Sequence, residues 1–149
     1  MTVELNGVRL KAVFGILALA GLLGACASTA PDAGSADLTC PIASNCVNSR
    51  ETGELMPLRY AGTPAQAVEL LRATVATFPE ATVVRADPLG LGLIFTTPIG
   101  FRDEVEFRID AQAQLIHFRS RSLFGLFDFG KNRSRMREFT TRFEQLSRR

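Results

Sequence analysis

The residues best equipped for chemistry lie near the C-terminus, in FRSRSLFGLFDFGKNRSRM, residues 118–136. Arg119, Arg121, Arg133 and Arg135 supply guanidinium groups and Lys131 an ammonium, against the single carboxylate of Asp128. Such a set can bind nucleic acid, a small anion or lipid head groups, or it can pair with the protein's own carboxylates. His117, Ser120 and Ser122 stand beside it, so a Ser-His-acid nucleophile is another reading. No G-x-S-x-G elbow accompanies these residues, and strand alternation turns Ser120 away from His117. Asp103 and Glu104 are neighbours on a strand and point to opposite faces, a poor arrangement for paired hydrolytic carboxylates. No convincing catalytic constellation emerges. No cofactor is implied, and no metal: zinc wants three or four ligands, and the chain has one histidine.

Strands and a helix must position these groups. EVEFRID reads as a strand, with Val105, Phe107 and Ile109 on one face and Glu104, Glu106, Arg108 and Asp110 on the other. AQAQ turns the chain and LIHFRSRS returns, placing Ile116 and Phe118 opposite His117, Arg119 and Arg121. A short loop sets Asp110 opposite Leu115, Glu106 opposite Arg119, Glu104 opposite Arg121 and Arg108 opposite His117. A slip of one residue would expose the apolar face, so this register is strongly specified. ATVVRA and LGLGLIFTT add two strands. Gly90 and Gly92 lack phosphate-loop spacing and a following helix, so close packing or a bulge is their reading.

Two amphipathic helices complete the pattern. In GTPAQAVELLRATVATFP, Thr63 is the expected N-cap with Pro64 at the first turn and Gln66 completing a capping box. Val68, Leu71, Val75 and Phe78 form its apolar stripe; Met136, Phe139, Phe143 and Leu146 form that of NRSRMREFTTRFEQL. The elements predict an α+β fold: a two-layer domain with an antiparallel sheet of about four strands, both helices on the apolar face and the charged face open.

Within this frame Arg119 and Arg121 have carboxylates waiting across the strand, pairs of about 0.2–1 kcal/mol each. Arg133, Arg135 and Arg137 are harder to place. They lie at a helix start, where cations are unfavourable by about 0.3–1 kcal/mol each. Their position calls for a packed carboxylate, with Asp128, Asp103 and Glu138 the candidates, or for a bound anion; a solvated surface or contact with lipid phosphates is the remaining reading. Phe124, Phe127 and Phe129 read as core plugs; if exposed, they would mark a partner or membrane contact.

The net charge of +2 hides an asymmetry. From Phe118 onward nine Lys/Arg face three Asp/Glu, +6; the remaining residues hold eight and twelve, −4. Pairing between the halves is expected as readily as an outside anion. The N-terminus sets the compartment. Residues 1–11 end in Arg9 and Lys11, and residues 12–25 carry no charge. That run spans roughly 21 Å as a helix, short of a bilayer's roughly 30 Å, so secretion is preferred over spanning. It closes in LLGAC, which resembles the lipobox of bacterial lipoproteins. The resemblance implies a signal peptide over 1–25, diacylglycerol on Cys26 and a lipidated tether over 26–39, with simple export or an uncleaved anchor as the alternatives. Ala27 lacks the aspartate that retains such proteins at the inner membrane, so a periplasmic site on the outer membrane is favoured. Export leaves Cys40 and Cys46 in an oxidising compartment, where a disulfide is the default. It also separates the protein from nucleic acid.

CPIASNCVNS, FRDEVEFRID and LIHFRSRSLFGLFDFGKNRSRM, in that order, resemble the bacterial and plastid family catalogued as domain of unknown function (DUF) 1499 over residues 40–146. Its distinctive positions here are Cys40, Pro41, Asn45, Cys46, Asp103, Arg119, Ser120, Ser122, Gly125, Asp128, Gly130, Asn132 and Arg133. Ser44 replaces a usual proline, Leu123 a common arginine and Arg121 a common small residue. The resemblance implies that Arg119, Asp128, Asn132 and Arg133 belong together, which predicts a polar cluster with Ser120, Ser122 and Asp103 where the last strand meets the closing helix. The resulting expectation for 40–149 is a non-catalytic binding or scaffolding domain on a lipid-anchored envelope protein, with an anionic ligand or envelope protein as its partner. The alternatives are a binder of an anionic small molecule or phospholipid head group at this cluster, and an envelope hydrolase.

Overall fold

The structure is a computed structural model that describes residues 37–51 and 53–149. The expected signal peptide over 1–25, Cys26 and the expected tether as far as residue 36 lie outside the described residues. The strands are β1 (Cys46–Asn48), β2 (Leu58–Arg59), β3 (Ala81–Asp87), β4 (Gly90–Thr96), β5 (Arg102–Asp110) and β6 (Leu115–Ser122). The helices are α1 (Pro64–Val75) and α2 (Lys131–Ser147). All six strands form one antiparallel sheet, ordered β1-β6-β5-β4-β3, with β2 also paired to β6. The fold is α+β as expected, but the sheet has six strands, not about four. The two additional strands are three and two residues long, too short to carry a readable alternation.

The helices form where their caps and stripes place them. The backbone N–H of Gln66 donates to Thr63 Oγ1 at 3.2 Å, and that of Thr63 donates to Gln66 Oε1 at 2.8 Å. This reciprocal box satisfies two donors left over at the helix start. Val68, Leu71, Val75 and Phe78 are buried, as are Met136, Phe139 and Phe143; Leu146 is half-buried. They pack on Leu91, Leu93, Phe95, Val105, Phe107, Ile109, Ile116 and Phe118. Phe139 lies at the centre, its ring centroid 4.7 Å from Phe107 and 5.6 Å from Phe78. Each such side chain contributes about 1.5–3 kcal/mol on burial.

The β5–β6 register is the expected one: Asp110 faces Leu115, Arg108 faces His117, Glu106 faces Arg119 and Glu104 faces Arg121. The other sheet face differs from expectation, because it is not open. Glu104 and Glu106 are buried, and the chain entering the domain closes over this side: Arg119 Nη1 donates to the Thr39 carbonyl at 3.1 Å. Leu38 is fully buried outside the main core.

Candidate functional site

Two groups of polar residues lie on opposite faces of the sheet. The first runs across the face turned away from the helices. Asn48, Arg119, Glu106, Gly92 and Arg85 are successive register partners from β1 to β3. The neighbouring row contains His117, Arg108, Gly90 and Asp87. In both rows glycine occupies β4 so that an arginine can reach over it. Arg85 Nη2 crosses Gly92 to Glu106 Oε1 at 2.9 Å, and Arg108 Nη1 crosses Gly90 to Asp87 Oδ2 at 2.8 Å. A Cβ on Gly90 would stand 2.2 Å from Arg108 Nη1 and 2.8 Å from the Phe107 carbonyl oxygen. On Gly92 it would meet Arg85 Nε at 3.4 Å. Close packing thus accounts for both glycines; the bulge lies on the partner strand, between Val83 and Arg85. Arg119 bonds Glu106 and lies 3.8 Å from Glu104, which Arg121 Nε also reaches at 2.7 Å.

The row's carboxylate and imidazole respond to this setting. Burial pushes Asp87 up, but the Leu89 N–H and the Arg108 guanidinium outweigh it and hold the carboxyl below its usual value. His117 is pushed below its usual value by burial first and the Arg50 charge second, against the opposing pull of Asp110.

The second group lies on the helix side, between the ends of β5 and β6 and the first turns of α2. Ser120 Oγ donates to Asn132 Oδ1 at 2.6 Å, and Asn132 Nδ2 donates to Ser122 Oγ and to the Asn45 carbonyl, both at 3.1 Å. Ser122 Oγ donates to Asp103 Oδ1 at 2.6 Å. Arg135 closes the network, with Nη2 on Asp103 Oδ2 at 2.6 Å and Nη1 on Asn132 Oδ1 at 3.0 Å. Its guanidinium carbon sits 4.7 Å above the Phe95 ring. Asn45, Asp103, Ser120, Asn132 and Arg135 are all buried. A charge at this depth is tolerable only when paired and hydrogen-bonded; here the two pair with each other, and each has a further bond, Asp103 from Ser122 and Arg135 to Asn132.

The network also fixes the loop that leads into α2. Asn45 Nδ2 donates to the Gly125 carbonyl at 2.6 Å, and Ser44 Oγ donates to the Leu126 carbonyl. Asp128 accepts the backbone N–H of Gly130 at 2.9 Å and of Asn132 at 2.8 Å. Burial raises the Asp128 carboxyl, but these N–H donors prevail and hold it below its usual value. Gly130 takes the N-cap position with φ of 76° and has no side chain to offer, so Asp128 serves as the cap from two residues upstream. The anion suited to this helix start is the protein's own.

A family model described as "Protein of unknown function (DUF1499)" matches residues 38–143. The chain belongs to the DUF1499 family. No curated protein and no solved structure matches it. In this DUF1499 domain the expected polar cluster is divided. Ser120, Ser122, Asp103 and Asn132 come together, with Asp128 joined through the Asn132 backbone. Arg119 does not belong to the group, because odd-numbered residues of β6 point to the other face. Arg133 does not either: it is exposed on α2, 3.6 Å from Glu54, which also pairs with Arg137. Cys40 and Cys46 form the expected disulfide, with Cα atoms 5.6 Å apart. His117 and Ser120 lie on opposite faces, as strand alternation required.

Arg135 is the network residue that the cluster omitted. The signal was present, since Asn132, Arg135 and Phe139 share one helical stripe at i, i+3 and i+7. Glu54, from an irregular segment, gave no such signal. The aromatic loop also departs from expectation. Phe124, Phe127 and Phe129 are exposed, Phe129 to 99%, and do not plug the core.

Proposed function

We propose that this protein is a lipid-anchored envelope component whose domain binds or scaffolds and does not catalyse. The coincidence of a basic start, an uncharged run and Leu-Gly-Ala before Cys26 carries the anchoring half of this reading. The domain reading rests on the closed character of its polar groups. Arg135 and Asp103 occupy each other, as do Arg119 and Glu106, and the network bonds the Asn45 carbonyl while the Ser44 and Asn45 side chains hold the backbone of the 123–130 loop. That arrangement suits a platform that holds a loop, not a site that receives a reacting group. Export from the cytoplasm fits the Cys40–Cys46 disulfide, and an outer-membrane site fits Ala27. Mass spectrometry of the protein from its own envelope tests the anchor: an acylated N-terminal Cys26 is expected, and an unmodified cysteine refutes it.

A second reading, an anionic head group or small anion at α2, is favoured by one observation. Arg133 is 46% exposed, and its ion pair among the described residues is with the exposed Glu54 at 3.6 Å. If this reading is right, phosphate, sulfate or anionic lipid raises the melting temperature, because a ligand of the native state alone must stabilise it. An unchanged melting temperature removes it.

A further inference from the structure

Two turns meet at one end of the sheet, the 97–101 turn between β4 and β5 and the 123–130 loop between β6 and α2. The Leu123 N–H donates to the Arg102 carbonyl at 3.0 Å and joins them. The rings of Phe101 and Phe124 stack across the junction, 6.2 Å between centroids. Ile99, Phe101, Phe124, Leu126, Phe127 and Phe129 are all at least 50% exposed. So many large apolar groups on adjoining turns form a contiguous patch that a water-facing surface rarely tolerates. Arg102 and Lys131, both exposed, flank it. The nearby acid, Asp128, is engaged by backbone N–H groups.

The chain enters the domain over the charged face, where Thr39 meets Arg119, and runs from there to this end of the sheet. Strand β1 runs antiparallel to β6, so Cys46, at its start, lies beside Arg121 near the end of β6. The turn just before it, Ala43–Asn45, is the one that holds the loop backbone. Ten residues separate Cys26 from Asp37. As a flexible coil they span about 18 Å, and fully extended no more than about 36 Å. A domain tethered so briefly, with its entry beside Arg119 on β6 and not far from the aromatic end, has a bilayer within reach of that end.

We infer that the 97–101 turn and the 123–130 loop form a tip that seats in the interfacial layer of an anionic bilayer. The aromatic and aliphatic groups enter the boundary between head groups and acyl chains, while Arg102 and Lys131 face lipid phosphates. The buried network around Asn132 holds the loop so that its rings point outward before any membrane is met. This inference rests on the lipid-anchor reading for its choice of occupant, but its test is separate.

The chain contains no tryptophan, so a single introduced one reports its own surroundings. Phe127→Trp at the tip and Val84→Trp on the exposed β3 edge are made in the full chain. Each is reconstituted in vesicles of phosphatidylglycerol and phosphatidylethanolamine whose acyl chains are brominated. The Phe127→Trp emission should shift to the blue and lose most of its intensity, while that of Val84→Trp stays water-like. Equal quenching of both, or of neither, overturns the tip even where Cys26 is acylated and the chain stays on the vesicles. If Cys26 proves unmodified, the same vesicles are added to the released chain. Quenching of Phe127→Trp then upholds the tip without the anchor, and its absence overturns the tip. Emission that ignores lipid and shifts only with envelope protein extract overturns it too, and assigns the patch to a protein partner. Unchanged melting temperatures confirm that both variants are folded.

Discussion

The sheet's two faces solve one problem in two ways. On the charged face, arginines and carboxylates alternate across strands, the arginines half-buried over Glu104 and Glu106, each reaching a partner along its own row. On the helix face, Asp103 and Arg135 are buried with Asn132 and Ser120, Ser122 is half-buried beside them, and the bonds that close the network, Arg135 to Asp103 and Asn132 to Ser120 and Ser122, cross between sheet and helix. Residue types are shared, but the costs differ. A half-buried row retains water on one side and is screened by salt. A buried pair that loses one member leaves the other charged and unsolvated.

The largest effect should therefore come from the helix face. Arg135→Met keeps the chain's bulk and strands Asp103, and should lower stability by about 3–5 kcal/mol, read by urea denaturation. A loss no larger than that of a charged-face variant would break the contrast. On the charged face the most sensitive position should be a glycine, not a charge. Gly90→Ala drives a Cβ against the Phe107 carbonyl and displaces Arg108 from Asp87. Overpacking of this kind costs about 1–3 kcal/mol, and calorimetry should show it as a lowered melting temperature.

Asp128 sharpens the link between network and helix start. Its depressed carboxyl stabilises the fold above the usual carboxylate value of 3.8, and that contribution disappears as pH falls through the lower folded value. Asp128→Ala should cost about 1 kcal/mol at neutral pH and flatten the decline in stability on acidification below 3.8. An unaltered acid limb would contradict the capping role. The smallest effect is expected for Arg121→Ala, about 0.2–1 kcal/mol. It should shrink further in high salt, whereas the Arg135→Met loss should not.

The same contrast explains how much the sequence revealed. Rows on the charged face follow from alternation and a short turn, so Glu104, Glu106, Arg119 and Arg121 could be paired before any fold was known. Capping and stripe signals likewise placed α1 and α2. On the helix face the stripe turned Asn132 and Arg135 toward the sheet and Asp103 was a candidate partner, but which groups meet depends on how α2 docks, and Arg119 and Arg133 were grouped with the network by family likeness alone. Strands β1 and β2 depend on long-range bonds, such as Ser49 N–H to the Phe118 carbonyl at 3.0 Å. The aromatic loop misled because apolar residues are usually core. Here the core was already filled by Phe95, Phe107, Phe118, Phe139 and Phe143.

The central claim is that the Asn132 network holds the 123–130 loop in place. Amide hydrogen exchange in Asn132→Ala tests it most directly, with Arg121→Ala as the comparison. Faster exchange at Asp128, Gly130 and Lys131, with β4 and β5 still protected, is the predicted result. Loop exchange equal to that of the unmutated protein, or acceleration spread evenly over the sheet, would contradict it.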